Sequence, residues 1–264
     1  MKKGYKTMIC STYSKRNYEK EYINMLNRHI VDGIIAGSHL LDFEEYQGVQ
    51  GPIVALDRFL GESIPVVSTN HKIGGKLAAE ELIRNNCRCV LQIQGARVVD
   101  SPSHERHYEF ERYMKKHGVT VYSHEMDWND FDYGQYDVMA DMLMDKYPDI
   151  DGIFAVDMVA IACIRQLLKR KKKVPRDVKV VAYDGTYVAK VGVMNLTVVQ
   201  QPIEELAKRA VNILLNMIQG KKYHNKKYFI SLHYFWEIRQ MIKNNTWKKV
   251  LQFILIEFVQ NKQK

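Results

Sequence analysis

Gly152-Ile153-Phe154-Ala155-Val156-Asp157 is an apolar run of strand length that ends in a carboxylate. Ala160–Arg170 follows with apolar residues three or four apart, and Val178–Tyr183 is apolar again and ends on Asp184. A strand, an amphipathic helix and a second buried strand make a βαβ unit, the building block of a parallel sheet. Outward from it the same rhythm continues. Runs of strand length occur at Tyr5–Cys10, Val31–Ala36, Ile53–Leu56 and Cys89–Ile93. Helical spacing occurs at Lys20–His29, Gly75–Arg84, Glu105–His117, Gln135–Lys146 and Ile203–Ile218. The expected fold is α/β, with helices covering both faces of parallel sheets.

Composition bounds the function. With 264 residues, 46% of them hydrophobic, the chain can bury a large core as one domain or two lobes. No stretch approaches the roughly 20 apolar residues that cross a bilayer, and Met-Lys-Lys-Gly-Tyr-Lys lacks a secretory signal's apolar run. The expected location is the cytoplasm, without a membrane partner. Cys10, Cys87, Cys89 and Cys163 lack paired metal-ligand spacing and are expected to be small buried hydrophobes. The net charge of +9 invites a nucleic-acid reading, but its one basic run, Lys169–Lys173, falls where a helix should end and complements the helix dipole. No helix-turn-helix, zinc finger or aromatic RNA-binding strand pattern is present in the sequence.

Polar residues collect where strands should end: Asp57-Arg58, Arg106, Asp127-Trp128, Asp157, Asp184 and Gln201. Ligands of open α/β sheets gather at the carboxyl ends of strands. Carboxylates and a guanidinium can take neighbouring sugar hydroxyls in paired hydrogen bonds, while an indole stacks on the ring. Taken alone these residues fit plainer roles as well, with the aspartates as helix caps, Trp128 in the core and Arg106 on the surface. His104 and His107, with Glu109 nearby, are spaced for a metal on one helix turn, but no third ligand has a motif, and a solvated helix face is the preferred reading. Neither a Walker loop nor a Gly-x-Gly-x-x-Gly fingerprint occurs. The expectation is a binding protein with no catalytic residues, metal or cofactor.

The order of motifs adds to this. Val31-Asp32-Gly33-Ile34-Ile35, Asp57-Arg58, Asn70–Ala78, Ser103–Phe110, Gly152–Asp157, Val181–Thr186 and Leu196–Pro202 together resemble the effector domain of LacI/GalR regulators and the related periplasmic sugar-binding proteins. The phrases around Tyr5–Tyr13 and Ser101–Phe110 resemble sucrose-operon repressors in particular. The resemblance implies two doubly wound parallel-sheet lobes of the type I periplasmic-binding-protein kind, with three crossovers and an effector between them. It places the first lobe at 1–86 with 201–221 and the second at 87–200 with 222–235. Carried over by matched positions, Asp57 and Arg58 face the effector from the first lobe, Arg106, Trp128 and Asp184 from the second, and Gln201 stands at a crossover. Ile73 is a candidate for the entrance.

The resemblance further implies a repressor of a carbohydrate-utilisation operon that binds a sugar or sugar phosphate, forms a homodimer, and reaches operator DNA only through a headpiece. The alternatives are a solute-binding protein for sugar transport, against which the lack of a secretory signal counts, and a sugar- or nucleotide-processing enzyme, which turnover of a bound sugar would reveal. The sequence departs from the pattern in three places. It has Val156 where many relatives carry Asn or Ser before the aspartate. It matches nothing of the headpiece or of the first strand and helix. Beyond Phe229 the likeness stops, and 236–264 reads as an aberrant or added tail. Trp236-Glu237-Ile238-Arg239-Gln240 has a codon run that in another frame reads Gly-Asp-Thr-Thr, a family-like tail, which suggests a frameshift.

Overall fold

The computed structural model describes residues 4–11, 16–37, 46, 48–49, 51–98, 101–127, 133–191, 196–221, 227–230 and 233–235. Two sheets organise them. The first has the order β1 (Ile34–Ala36), β2 (Ile53–Leu56), β3 (Val66–Thr69) and β9 (Lys227–Ile230), all parallel. The second runs β10 (His233–Phe235), β8 (Thr197–Gln200), β7 (Lys179–Asp184), β6 (Gly152–Val156), β4 (Cys89–Gln94) and β5 (Thr120–Glu125), and β10 is its antiparallel member. The helices are α1 (Arg16–Asn27), α2 (His71–Arg84), α3 (Glu105–Lys116), α4 (Tyr133–Lys146), α5 (Asp157–Lys169), α6 (Tyr187–Val191) and α7 (Ile203–Ile218).

The period of two along each strand sorts side chains onto opposite faces. In the second sheet Ile153, Ala155, Val180 and Ala182 pack under α4 and α5 with Leu143, Val159 and Cys163. Their alternates Phe154, Val181 and Tyr183 pack under α2 and α3 with Ala78, Leu82, Phe110 and Met114. This two-sided burial is why β6 and β7 read as continuous apolar runs. The first sheet is built alike on a smaller scale. Ile53, Ala55 and Val66 meet Ile23 and Leu26 of α1, while Val54 and Val67 meet Ala210 and Ile213 of α7.

Three expectations change. Tyr5–Cys10 belongs to neither sheet, and its residues are exposed. The lobe boundary lies at Asn70 rather than residue 86, because α2 packs on α3, β7 and β8 of the second sheet. The stretch 222–235 does not belong wholly to the second lobe: β9 pairs with β3 and β10 with β8. The chain therefore passes between the sheets after Thr69, around Gln201, and between β9 and β10. Lys169–Lys173 does fall at the end of α5, and Arg170 there binds Asp141 and Asp145. Cys87 and Cys163 are buried, as expected, but Cys89 is half-buried and Cys10 exposed. Among the described residues no helix is long and apolar enough to cross a membrane. The tail at 236–264 lies outside the described residues.

Candidate functional site

Two strand ends carry the site. β2 ends into Asp57, at φ 49, and β7 ends on Asp184, at φ 102. Left-handed backbone costs a side-chain-bearing residue about 1–3 kcal/mol and persists only where its surroundings hold it, which happens most often at functional sites. Here hydrogen bonds hold both carboxylates. Asp57 Oδ1 accepts from Ser68 Oγ at 2.6 Å and lies 2.9 Å from His71 Nε2. Asp184 Oδ1 accepts from Gln201 Nε2 at 2.7 Å and stands 3.9 Å from Arg106 Nη1.

These two clusters join across the lobes. His71, the first residue of α2, places Nδ1 3.0 Å from the Tyr183 hydroxyl, and the two rings stack at 5.9 Å. The Arg106 guanidinium lies 4.4 Å above the Tyr183 ring. Thr69 Oγ1 donates to Gln201 Oε1 at 3.0 Å, and Ser101 Oγ donates to the Asp57 carbonyl at 2.6 Å. Asp57, His71, Tyr183, Arg106, Asp184, Gln201 and Thr69 thus form one polar chain that touches both sheets at their crossovers. Burial pushes the Asp57 carboxyl upward, but the His71 bond and charge, with Ser68 and Arg106, outweigh it and leave the group below its usual value. Burial raises the Tyr183 hydroxyl well above its usual value, so it stays protonated beside His71 Nδ1.

Arg106 is held from beneath. Its Nε donates to His107 Nε2 at 3.2 Å, His107 Nδ1 faces Gln92 Oε1 at 3.4 Å, and Gln92 Nε2 donates to Ser123 Oγ at 2.7 Å. Burial, then the Arg106 charge, holds the His107 ring well below its ordinary pKa, so it is neutral and free to accept on Nε2. Gly75 of α2 sets the distance: a Cβ added there would sit 2.0 Å from the Arg106 carbonyl oxygen. Glycine is what allows α2 and α3 to approach this closely.

Of the candidate effector residues, Asp57, Arg106, Asp184 and Gln201 come together. Arg58 does not. It is buried in the first lobe, where Nη1 lies 3.6 Å from Glu19 Oε1, and Glu19 also accepts from Tyr46. Trp128 lies outside the described residues. Val156 caps the start of α5, and the buried Asp157 carboxylate accepts from Thr186 N at 2.6 Å, Thr186 Oγ1 at 2.6 Å and Gly185 N at 3.3 Å. Asp157 therefore shapes the loop after Asp184. Ile73 is exposed on the first turn of α2. The solvated-face reading of His107 and Glu109 is corrected, since both are buried, His107 against Phe154 and Glu109 beside Arg112.

Sequence reasoning missed His71, Tyr183, Ser68 and Thr69. The signal for three of them is the string Ser68-Thr69-Asn70-His71, a polar end to an apolar strand. Beside the network a cavity of about 570 Å³ meets it at Thr69 and His71, and Arg97, Ser101, His104 and Lys227 also line it. That volume falls in the range of small-molecule sites. Among the described residues no group of three His, Cys, Asp or Glu side chains is placed to hold a metal. Asp57, Arg106, Asp184 and Gln201 are not among the residues that line this cavity; they reach it through Thr69 and His71.

Residues 79–235 match the model of the periplasmic binding protein-like domain. The chain is 31% identical to a ribose operon repressor of Halalkalibacterium halodurans over 86% of its own length and 68% of the relative's. It is 32% identical to a sucrose operon repressor of Streptococcus mutans over 82% and 66%. The chain thus spans about two thirds of the length of these curated relatives. A periplasmic binding protein/LacI transcriptional regulator of Alkaliphilus metalliredigens, solved with D-xylulofuranose, superposes with a TM-score of 0.78 at 26% identity, covering 89% of this chain and 87% of that one.

Proposed function

The chain belongs to the periplasmic binding protein-like family, among the effector domains of LacI-type regulators, and from that premise we propose that it senses a sugar for a repressor of a carbohydrate operon. The observation that carries this reading is the convergence of Asp57 and Asp184, one from each sheet, on a network that includes Arg106 and Gln201. Carboxylates on opposite lobes take hydroxyls from opposite edges of one sugar ring, and the Arg106 fork takes two more polar atoms or a phosphate. Ligand held by both lobes favours the closed arrangement by the difference between its affinities for the two states. In the whole protein that difference would be passed to operator DNA through a headpiece and a homodimer. His71 and Thr69 join the effector-binding set, and Arg58 acts behind it by tying β2 to α1 through Glu19.

Thermal unfolding of the purified chain with sucrose, sucrose 6-phosphate, fructose, fructose 6-phosphate and ribose tests the reading. One sugar raises the transition with its concentration, by about 2.7 kcal/mol of stabilisation at a hundredfold excess over Kd. Arg106→Ala abolishes the rise while the cooperative transition remains, since a charge-assisted bond contributes about 1.5–3 kcal/mol. A cooperative transition that no sugar moves would refute the reading.

A further inference from the structure

The cavity of about 570 Å³ beside the polar network has a charge that the network does not account for. Among its described lining residues Lys72, Arg97 and Lys227 are permanent cations, and Glu105 is the one carboxylate. The three cations come from separate elements. Lys72 lies on the first turn of α2, Arg97 follows β4, and Lys227 opens β9. A concavity lined by one sign of charge focuses the field and concentrates ions of the opposite sign.

The way these cations are held leaves their charge uncompensated. Lys227 Nζ stands 4.4 Å over the Phe59 ring, and the Arg97 guanidinium lies 5.7 Å from the Tyr108 ring. A ring face orients a cation through its quadrupole without cancelling the charge. Among the described residues neither Lys72 nor Lys227 has a carboxylate within ion-pair range, and Arg97 meets Glu125 only at 3.7 Å. Elsewhere basic side chains are tightly paired, Arg112 with Glu109 and Arg165 with Asp137. Two large apolar side chains open on the same cavity: Val98 is 64% and Phe229 61% accessible. Apolar walls with a few convergent charged groups are the make-up of a small-molecule site.

We propose that this cavity is a second binding site, separate from the sugar network, for a small organic phosphate. The phosphate lies among Lys72, Arg97 and Lys227, and the remainder of the ligand packs on Val98 and Phe229. A phosphomonoester carries a charge of about −1.5 to −2 near neutral pH and three acceptor oxygens, so it answers several cations at once where a carboxylate answers one. Lys227 and Phe229 belong to the first sheet, while Arg97 and Val98 follow a strand of the second. An occupant therefore bridges the lobes without contact to Arg106 or Asp184.

The test titrates the full chain with phenyl phosphate and with inorganic phosphate by calorimetry, at an ionic strength held constant with chloride. Phenyl phosphate should bind saturably and at least ~tenfold more tightly than inorganic phosphate, and Lys72→Gln/Lys227→Gln should weaken it by at least ~tenfold. Lys172→Gln/Lys173→Gln removes the same charge from the exposed end of α5 and should leave the affinity unchanged. Arg106→Ala, which the sugar reading expects to abolish the response to sugar, should change phenyl phosphate affinity by less than ~threefold, so the two readings fail separately. The proposal is overturned if neither probe saturates, or if the two lysine pairs weaken binding equally, which would be attraction to net charge alone. Equal affinity for the two probes overturns it as well, because the site would then hold a free anion and not an organic phosphate. So does loss of binding in Arg106→Ala with the Lys72/Lys227 variant unaffected, since the phosphate would then sit in the sugar network. If that double variant loses its cooperative thermal transition, Arg97→Gln replaces it and the same comparisons decide.

Discussion

In the second sheet β4, β6 and β7 have five or six residues each, and their buried side chains meet α2 and α3 on one face and α4 and α5 on the other. In the first sheet no strand exceeds four residues among those described, and its terminal strand β1 lines a cavity of about 1440 Å³. The two follow the same rule of alternating apolar faces, so the difference lies in how much surface each buries per strand. Hydrophobic stabilisation scales with the area removed from water, and cooperative units that bury less open first. The polar network spans this asymmetry: Asp57 comes from the smaller sheet, while Arg106 and Asp184 are anchored on the larger one. A ligand that closes the lobes therefore moves a weakly braced half against a strongly braced half.

The sharpest way to break the contrast is to weaken the stronger side. Phe154 is fully buried and stacked on Phe110 at 4.5 Å, with His107 and Tyr183 also against it. Phe154→Ala should cost about 3–5 kcal/mol, read from the denaturant midpoint at an unchanged slope. Amide exchange then asks whether the sheets unfold as one unit. Loss of protection confined to the second sheet would show that the first holds by itself and would reverse the ranking of the two lobes.

Next in size is the contact that carries Arg106. Gly75→Ala drives a methyl group to 2.0 Å from the Arg106 carbonyl, and no flexible side-chain end is there to yield. Overpacking of this kind costs about 1–3 kcal/mol, and it should also weaken sugar affinity, because α3 moves with the guanidinium. An unchanged stability would show that α2 and α3 slide freely.

How far the sequence revealed this follows from which forces are local. Ile203–Ile218 is found at the bounds its periodicity predicts, since amphipathic spacing is written into the helix itself. Asp57 and Asp184 were legible because each ends an apolar strand. The allegiance of α2 was not, since its spacing shows that one face is buried without saying against which sheet. Nor was the part played by His71, whose partner Tyr183 is 112 residues away. Arg58 misled by adjacency: it follows Asp57 directly, yet its side chain goes to Glu19 inside the first lobe. β5 escaped notice because this outer strand keeps most of its residues partly or fully exposed and carries no continuous apolar run.

A titration tells the two lobes apart, with His107 on the second sheet's side and Asp57 on the first. His107 is buried neutral in the second lobe, its folded pKa held well below 6.5. As pH falls below that value the unfolded chain binds a proton the folded chain refuses. Stability present above pH ~6.5 is then lost at about 1.4 kcal/mol per pH unit as the medium becomes more acid. His124 is lowered by burial and adds in the same direction. Asp57, also lowered, contributes stability above the ordinary carboxylate range that is lost only as pH falls through its depressed folded value. His107→Gln should therefore flatten the stability profile just below pH 6.5, whereas Asp57→Asn should leave that part of the curve in place. Chemical denaturation at a series of pH values distinguishes them.

The smallest expected effect falls on the joint between the two lobes. Asn70 caps α2, its side chain accepting from Ile73 N at 3.2 Å, and its own N–H donates to the Ile230 carbonyl at 3.1 Å. The first bond satisfies an orphan donor of the helix start, and the second ties the crossover after β3 to the end of β9. Asn70→Ala removes the cap alone and should cost about 1 kcal/mol. Global stability thus changes little, but the next residue, His71, links Asp57 to Tyr183, so the fraying is felt where the lobes meet. Sugar affinity should consequently fall by more than Asn70→Asp allows, since that variant keeps the cap oxygen. Equal affinities in the two variants would mean that His71 is held by its own partners, with the helix start contributing nothing to the coupling of the lobes.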